Sequence, residues 1–97
     1  MRNLAEATIL VTGATDGLGK RVAQELAAKG TTVLLHGRSP ERLEVTFEEL
    51  RGQTSSQKVG SYLTDLSSQA AVRDLADRIL SEYDRLDVLV NNAGIIV

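Results

Sequence analysis

Four short strand-like runs, the first two apolar and rich in β-branched residues, alternate along the chain with three longer stretches whose apolar positions recur every three or four residues. Thr8 to Thr12 is the first run, closed by Gly13, and its unbroken apolar character predicts a strand covered on both faces. From Gly17 the period becomes helical, with Leu18, Val22, Leu26 and the small Ala23 and Ala27 on one face and Lys20, Arg21, Gln24 and Glu25 opposite. Lys29-Gly30 supplies a basic last turn and a glycine stop. Thr31 to Leu35 is the second strand. Ser39-Pro40-Glu41 then opens a helix: the serine caps free N–H groups, proline is tolerated at the first position, and glutamate suits the positive end. Its inward stripe is Leu43, Phe47 and Leu50. Lys58 to Leu63 is a weaker third strand, and Ser67 begins a third helix with Val72, Leu75, Ala76, Ile79, Leu80 and Tyr83 inward. Asp87 to Val90 is a fourth buried strand. The order β-α-β-α-β-α-β implies a parallel α/β sheet with right-handed crossovers and helices on both faces.

Composition narrows the function. The 97 residues include no cysteine, which removes disulfides, thiolate metal sites and a cysteine nucleophile, and no metal site is expected. Eleven basic residues in mixed order with thirteen acidic ones form no patch for nucleic acid or an anionic membrane. No apolar stretch approaches the ~18 residues of a membrane span, and the start lacks a signal-peptide core, so a cytoplasmic setting is expected. The polar stretch Gly52 to Gln57 is too short to divide the chain, leaving residues 1–97 as one domain or part of one.

The candidate chemistry lies in Thr12-Gly13-Ala14-Thr15-Asp16-Gly17-Leu18-Gly19, between the first strand and the first helix. Glycines there permit a tight turn and close backbone approach to a pyrophosphate, while the helix N-terminus offers N–H groups and a positive dipole. Turn geometry alone would also place glycines here. A Walker-type phosphate loop does not fit, because its first position is Ala14 and Arg21 follows Lys20 where a hydroxyl for Mg²⁺ is needed. The glycines at 13, 17 and 19 do not match G-x-G-x-x-G either.

The spacing Gly-x-x-x-Gly-x-Gly after a threonine resembles the short-chain dehydrogenase/reductase family. Asp65-Leu66 after the third strand and Asn91-Asn92-Ala93-Gly94 after the fourth resemble further motifs of that family. The resemblance implies a Rossmann-type sheet with strand order 3-2-1-4, truncated relative to the full family fold. It also implies a dinucleotide cofactor, with Gly13, Gly17 and Gly19 lining the pyrophosphate turn and the backbone of Thr15, Asp16, Gly17 and Leu18 supplying donors. Asp65 would accept from the adenine amino group, and Leu66 would offer its N–H to the ring. Asn91, Asn92, Ala93 and Gly94 would run beside the riboses, and Thr12 would secure the first strand to the fourth.

In dinucleotide folds an acidic residue about 20 positions past the glycine turn accepts from the ribose 2′-OH, whereas an arginine accommodates a 2′-phosphate. No acidic residue lies between Glu25 and Glu41, and the second strand ends in His36-Gly37-Arg38-Ser39. Arg38, with the Ser39 hydroxyl beside it, favours NADP(H) over NAD(H). Asp16 stands where many NADP(H)-preferring relatives carry a basic residue, so it either points away or weakens that preference. His36 reads as a strand-end residue beside the adenosine pocket.

The family's catalytic Tyr-x-x-x-Lys is absent: Leu66 stands four residues after Tyr62, and Asp87 four after Tyr83. No catalytic residue is therefore expected in this chain. It reads as the N-terminal, cofactor-binding half of an oxidoreductase that moves a hydride between nicotinamide and a carbonyl or alcohol carbon. The alternative is an autonomous nucleotide-binding or regulatory module without catalysis. In either case the fourth strand is expected to present an open apolar edge, covered by a missing C-terminal half or by self-association.

Overall fold

The computed structural model describes residues 3–54, 58–65 and 68–90. After a 3-10 turn at Leu4–Glu6 come β1 (Thr8–Val11), α1 (Gly17–Ala28), β2 (Thr32–Gly37), α2 (Pro40–Arg51), β3 (Val59–Leu63), α3 (Gln69–Glu82) and β4 (Val88–Val90). The four strands form one sheet in the order β3-β2-β1-β4, every pair parallel. Val11 lies opposite both Leu35 and Val90, so the C-terminal ends of β1, β2 and β4 gather at one rim of the sheet. In open parallel sheets that rim is where ligands bind.

The pleat sorts the core into two layers. Ile9, Val11, Val33 and Leu35 face α1 and α2, where Ala23, Ala27, Leu43 and Leu50 are buried against them. Leu10, Leu34 and Tyr62 face the other way, onto Leu75 and Ile79 of α3. Alanines on α1 let that helix approach the strands closely, and Gly19, Ala23 and Ala27 recur every four residues as its buried line.

Two positions read from the helical period as inward are not. Leu18 is 68% exposed and Leu80 54%. Each directly adjoins a buried residue, Gly19 and Ile79, and one residue is about 100° of helix rotation, enough to turn a side chain off the covered stripe. Val72 and Tyr83 are only partly buried, and Tyr83 follows the helix rather than belonging to it. The third helix is capped by Ser68, which accepts from the Ala71 N–H; the expected start at Ser67 lies outside the described residues. The fourth strand is only half-covered: Val88 and Val90 pack on the α1 side, while Leu89 is 42% exposed on the other.

Thr12 ties β1 to β4 as expected, its backbone N–H donating to the Val90 carbonyl at 3.0 Å and its hydroxyl to the same oxygen at 3.3 Å. At the opposite rim the Asp87 carboxylate accepts the Thr8 N–H at 2.8 Å and the Arg85 Nε–H at 2.9 Å. Arg85 and the Thr8 amide hold that carboxyl below the usual carboxylate range. Among the described residues no helix is long and apolar enough to cross a membrane.

Candidate functional site

The glycine turn joins the end of β1 to the start of α1. Gly13 and Gly17 have φ of 60° and 57°, the left-handed region that costs other residues roughly 1–2 kcal/mol. A Cβ on Gly17 would meet nothing within 4 Å. Backbone conformation, not crowding by the protein, therefore requires glycine there, and the space in front of it remains open to a ligand.

The helix starts differ in a way that matters for an anion. Ser39 caps α2 by accepting the Arg42 N–H, and Ser68 caps α3. Asp16 occupies the cap position of α1 but makes no capping hydrogen bond; its carboxylate lies 3.1 Å from the Arg42 guanidinium instead. The amides of Gly17, Leu18 and Gly19 precede the first intrahelical bond of α1, from Lys20 N–H to the Asp16 carbonyl. A helix N-terminus without a side-chain cap is suited to a pyrophosphate.

At the end of β2, Arg38 is exposed and makes no ion pair among the described residues. Ser39 is already engaged: besides capping α2 it donates to Glu41 at 3.2 Å, so a phosphate here would have to compete with that carboxylate. Asp16 is turned toward α2 and neutralised by Arg42, across a recess of about 250 Å³ that Thr15, Lys20 and Thr46 help to line. Asp65 is exposed just past β3. Leu66, Asn91, Asn92, Ala93 and Gly94, also expected at the site, lie outside the described residues.

His36 does more than mark a strand end. The residue is 2% exposed, with ring Nδ1 accepting the Gly13 N–H at 3.1 Å and Nε2 lying 2.8 Å from the Thr64 carbonyl oxygen. Burial lowers its pKa most, opposed by the Thr64 carbonyl. The sequence carried one signal for this, a polar residue on an otherwise apolar strand beside the glycine turn. The pairing of Asp16 with Arg42, 26 positions apart, had none.

The two tyrosines are structural. Tyr62 is buried under the Arg78 guanidinium, 5.2 Å from its ring centroid, and donates its hydroxyl proton to Glu82. Burial and that carboxylate push its ionisation above the usual phenol range, and burial raises that of Tyr83. Neither is suited to give or take a proton near neutrality. No cluster of three or more metal-ligating side chains occurs among the described residues.

A family model described as short chain dehydrogenase matches residues 7–97. Human retinol dehydrogenase 13 is 40% identical over 88 residues, covering 91% of this chain and 27% of that protein. Human dehydrogenase/reductase SDR family member 13 is 45% identical over 95 residues, covering 98% of this chain and 25% of its own. A crystal structure of a short chain dehydrogenase from Shigella flexneri complexed with NADP superposes with a TM-score of 0.82 at 36% identity, over 93% of this chain and 38% of that one. The chain thus spans about a quarter of the length of these two human relatives.

Proposed function

The chain belongs to the short-chain dehydrogenase family, and from that premise we propose that it is the NADP(H)-binding portion of an oxidoreductase acting on a carbonyl or alcohol substrate. Gly13, Gly17, Leu18 and Gly19 hold the pyrophosphate through the turn and the uncapped start of α1. Arg38 takes the 2′-phosphate, Asp65 lies toward the adenine, and residues 91–94 run beside the riboses. When bound, the cofactor would supply the hydride to a carbonyl or accept it from an alcohol; this part of the protein binds and orients it. The proton donor belongs to sequence other than these residues, since both tyrosines here are committed to packing.

The observation that carries the cofactor preference is the end of β2, where the Arg38 guanidinium is exposed and no acidic residue occurs between Glu25 and Glu41. A bidentate arginine–phosphate contact is a charged hydrogen-bonded pair that NADH cannot make. Replacing Arg38 by leucine in the protein expressed from its native reading frame should weaken NADPH binding roughly ten- to hundredfold, as loss of about 1.5–3 kcal/mol implies. NADH binding should barely change. Equal weakening of both, or of neither, would overturn the assignment of Arg38.

A further inference from the structure

The ends of β1, β2 and β3 meet on one imidazole. His36 Nδ1 accepts the Gly13 N–H, while its own backbone carbonyl accepts the Ala14 N–H at 2.9 Å. A single residue thus fixes two successive amides of the glycine turn. On its far side Nε2 faces the Thr64 carbonyl, and the Gly37 carbonyl accepts the Thr64 N–H at 3.2 Å. The loop leading to Asp65 is therefore held by the same pair of residues that ends β2. Accepting from Gly13 and donating to Thr64 at once requires the neutral ring with its proton on Nε2.

Resting on the dinucleotide reading, we propose that His36 is a positioning residue that holds the glycine turn in its cofactor-binding shape, and that protonating the ring releases the turn and weakens binding in acid. A protonated ring carries a hydrogen on Nδ1, which would point at the Gly13 N–H, donor against donor. The charged groups that bear on the ring are the Arg38 guanidinium on its own strand, which disfavours protonation, and the Asp65 carboxylate beyond β3, which favours it. Burial keeps the ring neutral until the solution is more acidic than a free imidazole would need.

The test compares NADPH affinity of wild type, His36→Asn and His36→Leu from about pH 5 to about pH 8, the span over which imidazoles titrate. The 2′-phosphate of the ligand also titrates there and affects all three alike, so the quantity read is the difference between proteins. Asparagine can return an acceptor to Gly13 and does not titrate; leucine returns none. Wild type should show an acid loss of roughly tenfold beyond that of His36→Asn, and His36→Leu should bind roughly tenfold more weakly than His36→Asn across the range. The same acid loss in wild type and His36→Asn, or equal affinity of the two variants, would overturn the proposal. Nuclear magnetic resonance of the ligand-free protein tests the geometry independently. An Nε2–H tautomer and a Gly13 amide that shifts as the ring titrates support it, whereas an Nδ1–H tautomer or an unresponsive Gly13 amide overturns it. If the tautomer and the coupling hold but neither NADPH nor NADH binds at any pH, the dinucleotide reading fails, and the role assigned to His36 with it.

Discussion

A Cβ placed on Gly37 would stand 2.7 Å from the Thr15 methyl, so the end of β2 and the glycine turn are packed to contact and no side chain fits between them. Gly37→Ala should therefore push on the turn, costing about 1–3 kcal/mol of stability by overpacking and weakening NADPH binding. Adding Thr15→Ser, which removes the offending methyl and keeps the hydroxyl, should recover most of both. Thermal midpoints and NADPH titrations of the two single variants and the double variant check this. A double variant no better than Gly37→Ala alone would show that Thr15 is not the obstacle.

Asp16→Asn removes a negative charge from the glycine turn and frees Arg42 from its partner. The pair is exposed, so stability should change by no more than about 0.5 kcal/mol. NADPH affinity should rise severalfold at low salt, and the gain should fade as salt screens the charges. Titrations at two ionic strengths read it directly; weaker NADPH binding would mean that Asp16 itself helps to hold the cofactor.

Gly60 on the edge strand β3 lies under Tyr83. A Cβ there would come 2.6 Å from the Tyr83 hydroxyl and 2.9 Å from a methyl of the fully buried Leu34. Gly60→Ala should lower stability by about 1–3 kcal/mol. The double variant with Tyr83→Phe should regain only part of it, because Leu34 cannot withdraw as a tyrosine tip can. Urea unfolding of the three variants separates the two contacts; full recovery would place the whole clash on the hydroxyl.

Stability should also follow the charge state of His36. Its folded pKa is lowered by burial, so as pH falls below about 6.5 the unfolded chain takes up a proton that the folded chain resists. The contribution is full above that value and is lost as pH falls through the folded pKa. Unfolding midpoints of wild type and His36→Asn should accordingly converge in acid; a constant gap would contradict it.

The half-covered β4 carries a prediction for the chain studied alone. Among the described residues it is paired on one side only, with Leu89 exposed. Such an edge invites a further strand. Concentration-dependent association should appear by light scattering and diminish in Leu89→Lys, whereas an unchanged monomer in both would show that the edge is blocked.

The order of elements was readable because the apolar period changes sharply at each strand end, from the run Thr8 to Thr12 into the helical recurrence of Leu18, Val22 and Leu26 with Ala23 and Ala27. Where the period is right but the stripe is narrow, flanking residues escape it, as Leu18 and Leu80 do. The glycine turn is legible as a motif, and its spacing alone excludes the Walker loop. What joins that turn to its surroundings is not. Ser39 reads equally as a cap and as a phosphate neighbour, and only its bonds to Arg42 and Glu41 show the first role in force. The His36 bridge and the Asp16–Arg42 pair join residues distant in sequence, set by strand register and helix packing rather than by any local pattern.

On the proposed function, this turn, with Arg38 beside it, binds a dinucleotide carrying a 2′-phosphate. Calorimetric titration of the protein from its native reading frame with NADPH and with NADH, at one fixed pH and salt concentration, tests it most directly. NADPH should bind tighter by roughly tenfold or more, the difference a single charge-assisted phosphate contact supplies. Equal affinities, tighter NADH, or no binding of either would contradict it.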